Sequence, residues 1–178
     1  SGTAYNSLLV GGGNLLVSKA SDSPSGNVSQ GSTNVVFGTW KLEATGEDIE
    51  VRRICFDLDN GNADILALAD YRGTVKLKRA SGSTVYSADI AATHIDNTCD
   101  DYTLSSYFTI KAGTTEMVSV VADLATTAAV NEYTTAELGD VYYKRMDTND
   151  FAAAAATEIA ANRLTVQVAS LTSVKTSG

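Results

Sequence analysis

Histidine, proline and tryptophan each occur once, and cysteine twice, among 178 residues. With His94 as the sole imidazole, any Ser-His-Asp or Cys-His mechanism must pass through that one residue. A structural zinc site has neither a second histidine nor a C-x-x-C spacing to draw on. The chain also lacks G-x-S-x-G, a P-loop and a dinucleotide-binding glycine pattern. Adjacent acids such as Glu47-Asp48 and Asp100-Asp101 sit where turns are expected, which is their ordinary place. No catalytic activity and no organic cofactor are therefore expected. No apolar run reaches the roughly 18 residues that a membrane-spanning helix needs. Cationic residues are scarce, 13 Lys and Arg against 21 Asp and Glu, and a net charge of −8 repels phosphate backbones, so nucleic acid is not an expected partner. The longest basic cluster, Lys76-Leu-Lys-Arg79, alternates with Val75 and Leu77 and reads as a solvated strand face.

What is present is strand and turn. Hydrophobic residues make up 44% and charged residues 19%, a balance that belongs to a globular chain rather than a disordered one. The most legible stretch runs from Leu104 to Leu124. Leu104, Phe108 and Ile110 fall on one face, Lys111-Ala-Gly-Thr114 turns, and Val118, Val120, Ala122 and Leu124 resume the alternation, as an antiparallel hairpin with one buried face does. Thr33–Ala44 reads as a strand with Val36, Trp40, Leu42 and Ala44 inward. From Ile49 and Val51 to Ile54, Phe56 and Leu58 the apolar parity switches at Arg52-Arg53, which predicts a β-bulge. Gly73–Arg79 and Thr84–Ile90 form a second hairpin, and Leu138–Met146 and Arg163–Val174 are further strands. The alanine-rich segment 151–161, preceded by Asp147 and Asp150 as caps, predicts one short helix. The expected fold is all-β: an immunoglobulin-like antiparallel β-sandwich of about eight to ten strands, with that helix and an N-terminal strand arm. Residues 1–12 form the arm and 13–178 the sandwich. Two lone cysteines in a chain of this secreted character point to one disulfide, Cys55–Cys99, rather than two free thiols. Asn27-Val-Ser29 fits the N-glycosylation sequon.

A set of segments carries a family likeness. These are Gly13-Asn-Leu-Leu-Val-Ser18, Ser23-Pro24, Gly31-Ser-Thr-Asn-Val35 through Ala44-Thr-Gly-Glu-Asp-Ile-Glu-Val51, Ala63-Asp64, Tyr71-Arg-Gly73, Ile110-Lys-Ala-Gly-Thr114 and Val120-Val-Ala-Asp-Leu-Ala125. Together, over residues 13–145, they resemble the repeated β-sandwich domains of large surface-layer-like proteins from uncultured bacteria of the candidate phyla. The resemblance implies an extracellular, structural role and carries no active site. The arm, the two cysteines and the alanine-rich segment depart from that pattern. So does the presence of a single unit where the family repeats in tandem, which favours self-assembly of separate subunits.

Three constellations are candidates for function. The arm places Tyr5, Leu8, Leu9 and Val10 before Gly11, Gly12 and Gly13, a short apolar strand on a glycine hinge with no hairpin partner of its own. Donated to a neighbour it would add a strand to that neighbour's sheet; the alternative is a strand folded back on its own domain. Asp57, Asp59, Asn60, Asn62 and Asp64 form an oxygen-rich loop suited to Ca²⁺, either alone or shared with Asp96, Asn97, Asp100 and Asp101; the alternative is ordinary turn chemistry. Tyr142-Tyr143 and scattered tyrosines including Tyr107 raise the possibility of glycan binding. The expected function is that of an extracellular structural protein at the cell surface, a homopolymer forming a pilus-like filament by strand donation or a surface layer. The alternative is a secreted adhesin or carbohydrate-binding module.

Overall fold

The computed structural model describes residues 12–59, 66–154 and 157–169. Thirteen strands lie among them: β1 (Asn14–Lys19), β2 (Gly26–Ser29), β3 (Val35–Thr45), β4 (Ile49–Asp57), β5 (Tyr71–Arg79), β6 (Thr84–Asp89), β7 (Asp100–Ile110), β8 (Thr115–Leu124), β9 (Tyr133–Thr134), β10 (Glu137–Arg145), β11 (Phe151–Ala154), β12 (Ile159–Ala160) and β13 (Leu164–Gln167). Helix is confined, among the described residues, to single 3₁₀ turns at Leu68–Asp70 and Ala92–His94. One antiparallel sheet has the order β1-β3-β8-β5-β6. A second runs β11-β10-β4-β7, with β12 also on β10. A small sheet, β2-β13-β9, contains the parallel pair β13–β2. The buried faces of the two large sheets join in one core that includes Phe37, Trp40, Leu42, Ile54, Phe56, Leu77, Val120 and Leu138.

The hairpin expected of β7 and β8 is not formed: β7 pairs with β4 and β8 with β3 and β5, so the turn at Lys111–Thr114 carries the chain from one sheet to the other. Period-two alternation gives the buried face of each strand but not its partner, and the inward set itself is as expected: Leu104, Phe108, Ile110, Val118, Val120, Ala122 and Leu124 are all buried. The bulge in β4 lies between Val51 and Arg53 in the β4–β7 register, so Ile49 and Val51 before it and Ile54 and Phe56 after it all reach the core. A second bulge, between Val36 and Gly38, was not anticipated. It turns Phe37 fully inward and leaves Val36 only half-buried. Gly38 is required there, because a Cβ would collide with the Trp40 ring and stand 2.7 Å from the Ala161 Cβ.

The helix expected over 151–161 is not formed. Phe151–Ala154 is an edge strand on β10, with Tyr143 opposite Ala152 and Lys144 opposite Phe151, and Ile159–Ala160 pairs with Leu138 and Glu137. Alanine's helix propensity is worth only tenths of a kcal/mol per residue and yields to tertiary pairing. The turn that leads into this strand is held by Glu47, which accepts from Asp147 N at 2.9 Å and Thr148 N at 3.1 Å. Asn149, with φ 61°, completes the reversal in the left-handed region.

Cys55 and Cys99 are joined in a disulfide across 44 residues. Gly139 makes room for it, since a Cβ there would stand 2.6 Å from Cys99 Sγ and 3.0 Å from Cys55 Sγ. The bond fastens the loop before β7 onto the β4–β10 pair.

Candidate functional site

Two sheet edges have no further strand partner among the described residues and face a common groove. Among those residues β1 pairs only with β3, and β11 only with β10. On β1, the Ala20 N–H donates to Thr39 O at 3.0 Å in register with the ladder, so even-numbered residues point their backbone groups at β3. The N–H and C=O of Leu15, Val17 and Lys19 therefore turn to the open edge. On β11, the Arg145 N–H donates to Asp150 O at 2.8 Å, which by the same alternation turns the backbone groups of Phe151 and Ala153 away from β10. Between these edges lies a groove of about 450 Å³, lined by Asn14–Val17, Tyr143, Ala153, Ala154, Thr157 and Ile159. Its exposed lining is slightly more polar than apolar, with backbone edges beside apolar side chains, and Leu16 is 56% exposed. At the other side of the sandwich β6 lies beside β7, and Ser105 Oγ donates to Val85 O at 2.9 Å.

The hinge enters at one end of this groove. Tyr5, Leu8, Leu9, Val10 and Gly11 lie outside the described residues. Gly12 is exposed beside the Arg145 side chain. Gly13 is held firmly. Its N–H donates to Glu47 Oε1 at 2.8 Å, and its C=O accepts from Arg145 Nε at 2.6 Å. A Cβ on Gly13 would stand 2.9 Å from both Glu47 N and Thr45 O, so glycine serves close approach here as well as flexibility. The buried Glu47 carboxylate thus ties the start of β1 to the β10–β11 turn, and these hydrogen bonds, Gly13's first, hold its pKa below the usual range.

A second groove, about 510 Å³, lies on the outer face of the β4–β10 sheet. Arg52, Arg53, Thr103, Tyr107, Tyr142 and Phe151 line it. Tyr142 faces this groove while Tyr143 is buried, so one ring of the pair points outward. Phe151 was not recognised from the sequence, because a helix reading of its segment gave it no sheet neighbours. The signal available was the Arg52-Arg53 pair at the parity switch.

The acidic loops are drawn together at one point. Asp57 is buried, accepts Asp59 N at 2.6 Å and a backbone hydrogen bond from Asp96, and its Oδ2 has no hydrogen-bond partner among the described residues. Desolvation pushes its pKa up to about 7. Glu137 is likewise raised to about 7, by burial and then by Glu158 beside it. Asn60, Asn62 and Asp64 lie outside the described residues. Among the described residues no group of three or more His, Cys, Asp or Glu side chains is arranged to hold a metal ion.

His94 is a packing residue in this structure. It is buried, stacks on Tyr102 with ring centroids 4.8 Å apart, and accepts the Ala91 N–H at Nδ1. Tyr86 and Phe56 complete the cluster. Lys76 and Lys78 stay half-exposed on their strand, as a solvated face predicts. Arg79 departs from it: of the opposite parity, it lies over the Phe108 ring with Cζ 4.8 Å from the centroid and pairs with Glu116 at 2.5 Å. No helix among the described residues is long and apolar enough to cross a membrane. No family model matches the chain, and no curated protein matches it.

Proposed function

We propose that this chain is a structural subunit of an extracellular homopolymer, an immunoglobulin-like sandwich joined head to tail by donation of residues 1–12 into the β1–β11 groove of the next copy. One observation carries the reading: two edges that have no strand partner among the described residues turn backbone groups toward a common groove, and the chain supplies an apolar segment before Gly13 to fill it. An inserted strand pairs its main chain with both edges and buries alternate side chains such as Leu8 and Val10. Use by a neighbour rather than by the same copy is favoured by Gly13. A tight reversal over Gly11-Gly12 needs the Gly13 N–H and C=O for its first rung, and Glu47 and Arg145 already hold them. A contact between an arm and a groove on the next molecule does not close on itself, so it propagates as a filament; a surface layer is the second form. The disulfide is in keeping with an oxidising, extracellular setting.

Negative-stain electron microscopy and light scattering on the purified full chain test this directly. Filaments that disappear when residues 1–12 are deleted are the expected result. A full chain that stays at its monomer mass of 18.6 kDa at high concentration sinks strand donation.

A further inference from the structure

The outer face of the β11-β10-β4-β7 sheet carries a second site, which goes beyond strand donation and stands without it. We propose that the groove around Arg52, Arg53, Tyr107, Tyr142 and Phe151 binds a polysaccharide bearing carboxylate groups.

Consecutive residues of a regular strand point to opposite faces. The β4 bulge between Val51 and Arg53 suspends that rule and places Arg52 and Arg53 side by side in one groove, with Val51 and Ile54 buried on either side of them. Both guanidinium groups lie on aromatic rings. The Arg52 Cζ is 5.0 Å from the Tyr107 ring centroid and 5.1 Å from that of Phe151, and the Arg53 Cζ is 3.7 Å from that of Tyr142. Stacking fixes the planes of the two groups while leaving N–H edges for an acceptor. Arg52 directs Nε and Nη2 at the same Glu50 oxygen, at 2.8 and 2.6 Å, which leaves Nη1 for a ligand. Arg53 reaches Asp101 only at 3.5 Å, a separation too long for a strong charge-assisted bond.

The rings supply the second half of the recognition. Phe151 is 69% and Tyr107 47% exposed, and both stand at the groove rather than being scattered. Exposed aromatic surface beside a polar threonine, Thr103, offers C–H-bearing sugar faces a stacking platform. The cations select the charge. Glu50 and Asp101 offset the two arginine charges, so a carboxylate is met here by the guanidinium N–H groups left over rather than by a net positive field. A sheet face offers side chains but no free N–H or C=O, so an extended peptide finds no main-chain pairing here, unlike in the groove between the edges.

Affinity electrophoresis of the full-length chain through gels containing polygalacturonate, with dextran as the neutral comparison, gives the test. Retardation by polygalacturonate alone is expected, weakened at about 0.5 M salt, where exposed charges are screened. Arg53→Gln should weaken binding about tenfold, as should Phe151→Ala, each with an unchanged circular dichroism spectrum. Lys76→Gln, on the other large sheet, should bind as the parent does. Equal retardation by dextran, no retardation by either polymer, or a loss in Lys76→Gln matching that in Arg53→Gln would each overturn the proposal. Filament formation is scored separately on the same variants, so failure of one proposal is not confused with failure of the other.

Discussion

Trp40 is fully enclosed, and its indole N–H donates to Ile159 O at 2.7 Å. Its inward placement follows from parity along β3, but the partner that satisfies its one polar atom lies 119 residues away and is invisible in local sequence. Asp57 is the opposite case, a carboxyl group buried with one oxygen unpartnered among the described residues. Its pKa is raised to about 7, so the folded state binds its proton more tightly than the unfolded chain does. The group's contribution to stability is complete below the unfolded value near pH 4, shrinks as pH rises, and is gone above about 7. Asp57→Asn, which cannot ionise, should therefore leave stability at pH 4 nearly unchanged and raise it at pH 8. Allowing for residual solvation, the gain is roughly 2 kcal/mol. Urea midpoints at the two pH values check this, and an equal shift at both would show that Asp57 is not ionising on a desolvated site. His94 acts in the other direction. Burial lowers its pKa, so its contribution is present at neutral pH and is lost as pH falls below the ordinary imidazole range.

The element whose sequence misleads most is β11. Read locally, Asp-x-x-Asp followed by Phe and five alanines is a helix start. The deciding contacts are made at a distance: Glu47 captures the N–H groups of the preceding turn, and β10 offers a complete row of partners. Beside it, the Arg52-Arg53 bulge was legible because a bulge shifts hydrophobic parity, which is itself a sequence pattern. β11 also permits a sharp test of the assembly proposal. The Ala153 N–H is turned away from β10 and its side chain is exposed, so Ala153→Pro removes a donor that serves no strand pairing among the described residues. The variant should keep its circular dichroism spectrum and thermal midpoint within a few degrees, yet fail to form filaments. Normal filaments from Ala153→Pro would mean that the arm does not pair with β11.

At the scale of the whole molecule, the disulfide spans 44 residues and ties β4 to the loop that leads into β7. In the chain-entropy account a loop of this size stabilises by roughly 4 kcal/mol. Replacing both cysteines by serine should lower the guanidinium midpoint accordingly while leaving the strand pairings intact. A midpoint unchanged in the double variant would show that the core alone fixes the position of the loop. The sequence by itself determined the all-β character, the inward faces of β3 from Trp40 onward and of β4, β7 and β8, and the pairing of two cysteines. Each of these is written either in a period of two or in a count of two, and needs no knowledge of distant neighbours. Tertiary structure alone decided that an alanine-rich segment is an edge strand, that Gly38 and Gly139 yield space to an indole and a disulfide, and that β1 and β11 leave a groove between them. Those outcomes depend on which edges and side chains meet across the sandwich, and hydrogen bonding and packing between remote residues outweigh propensities worth tenths of a kcal/mol.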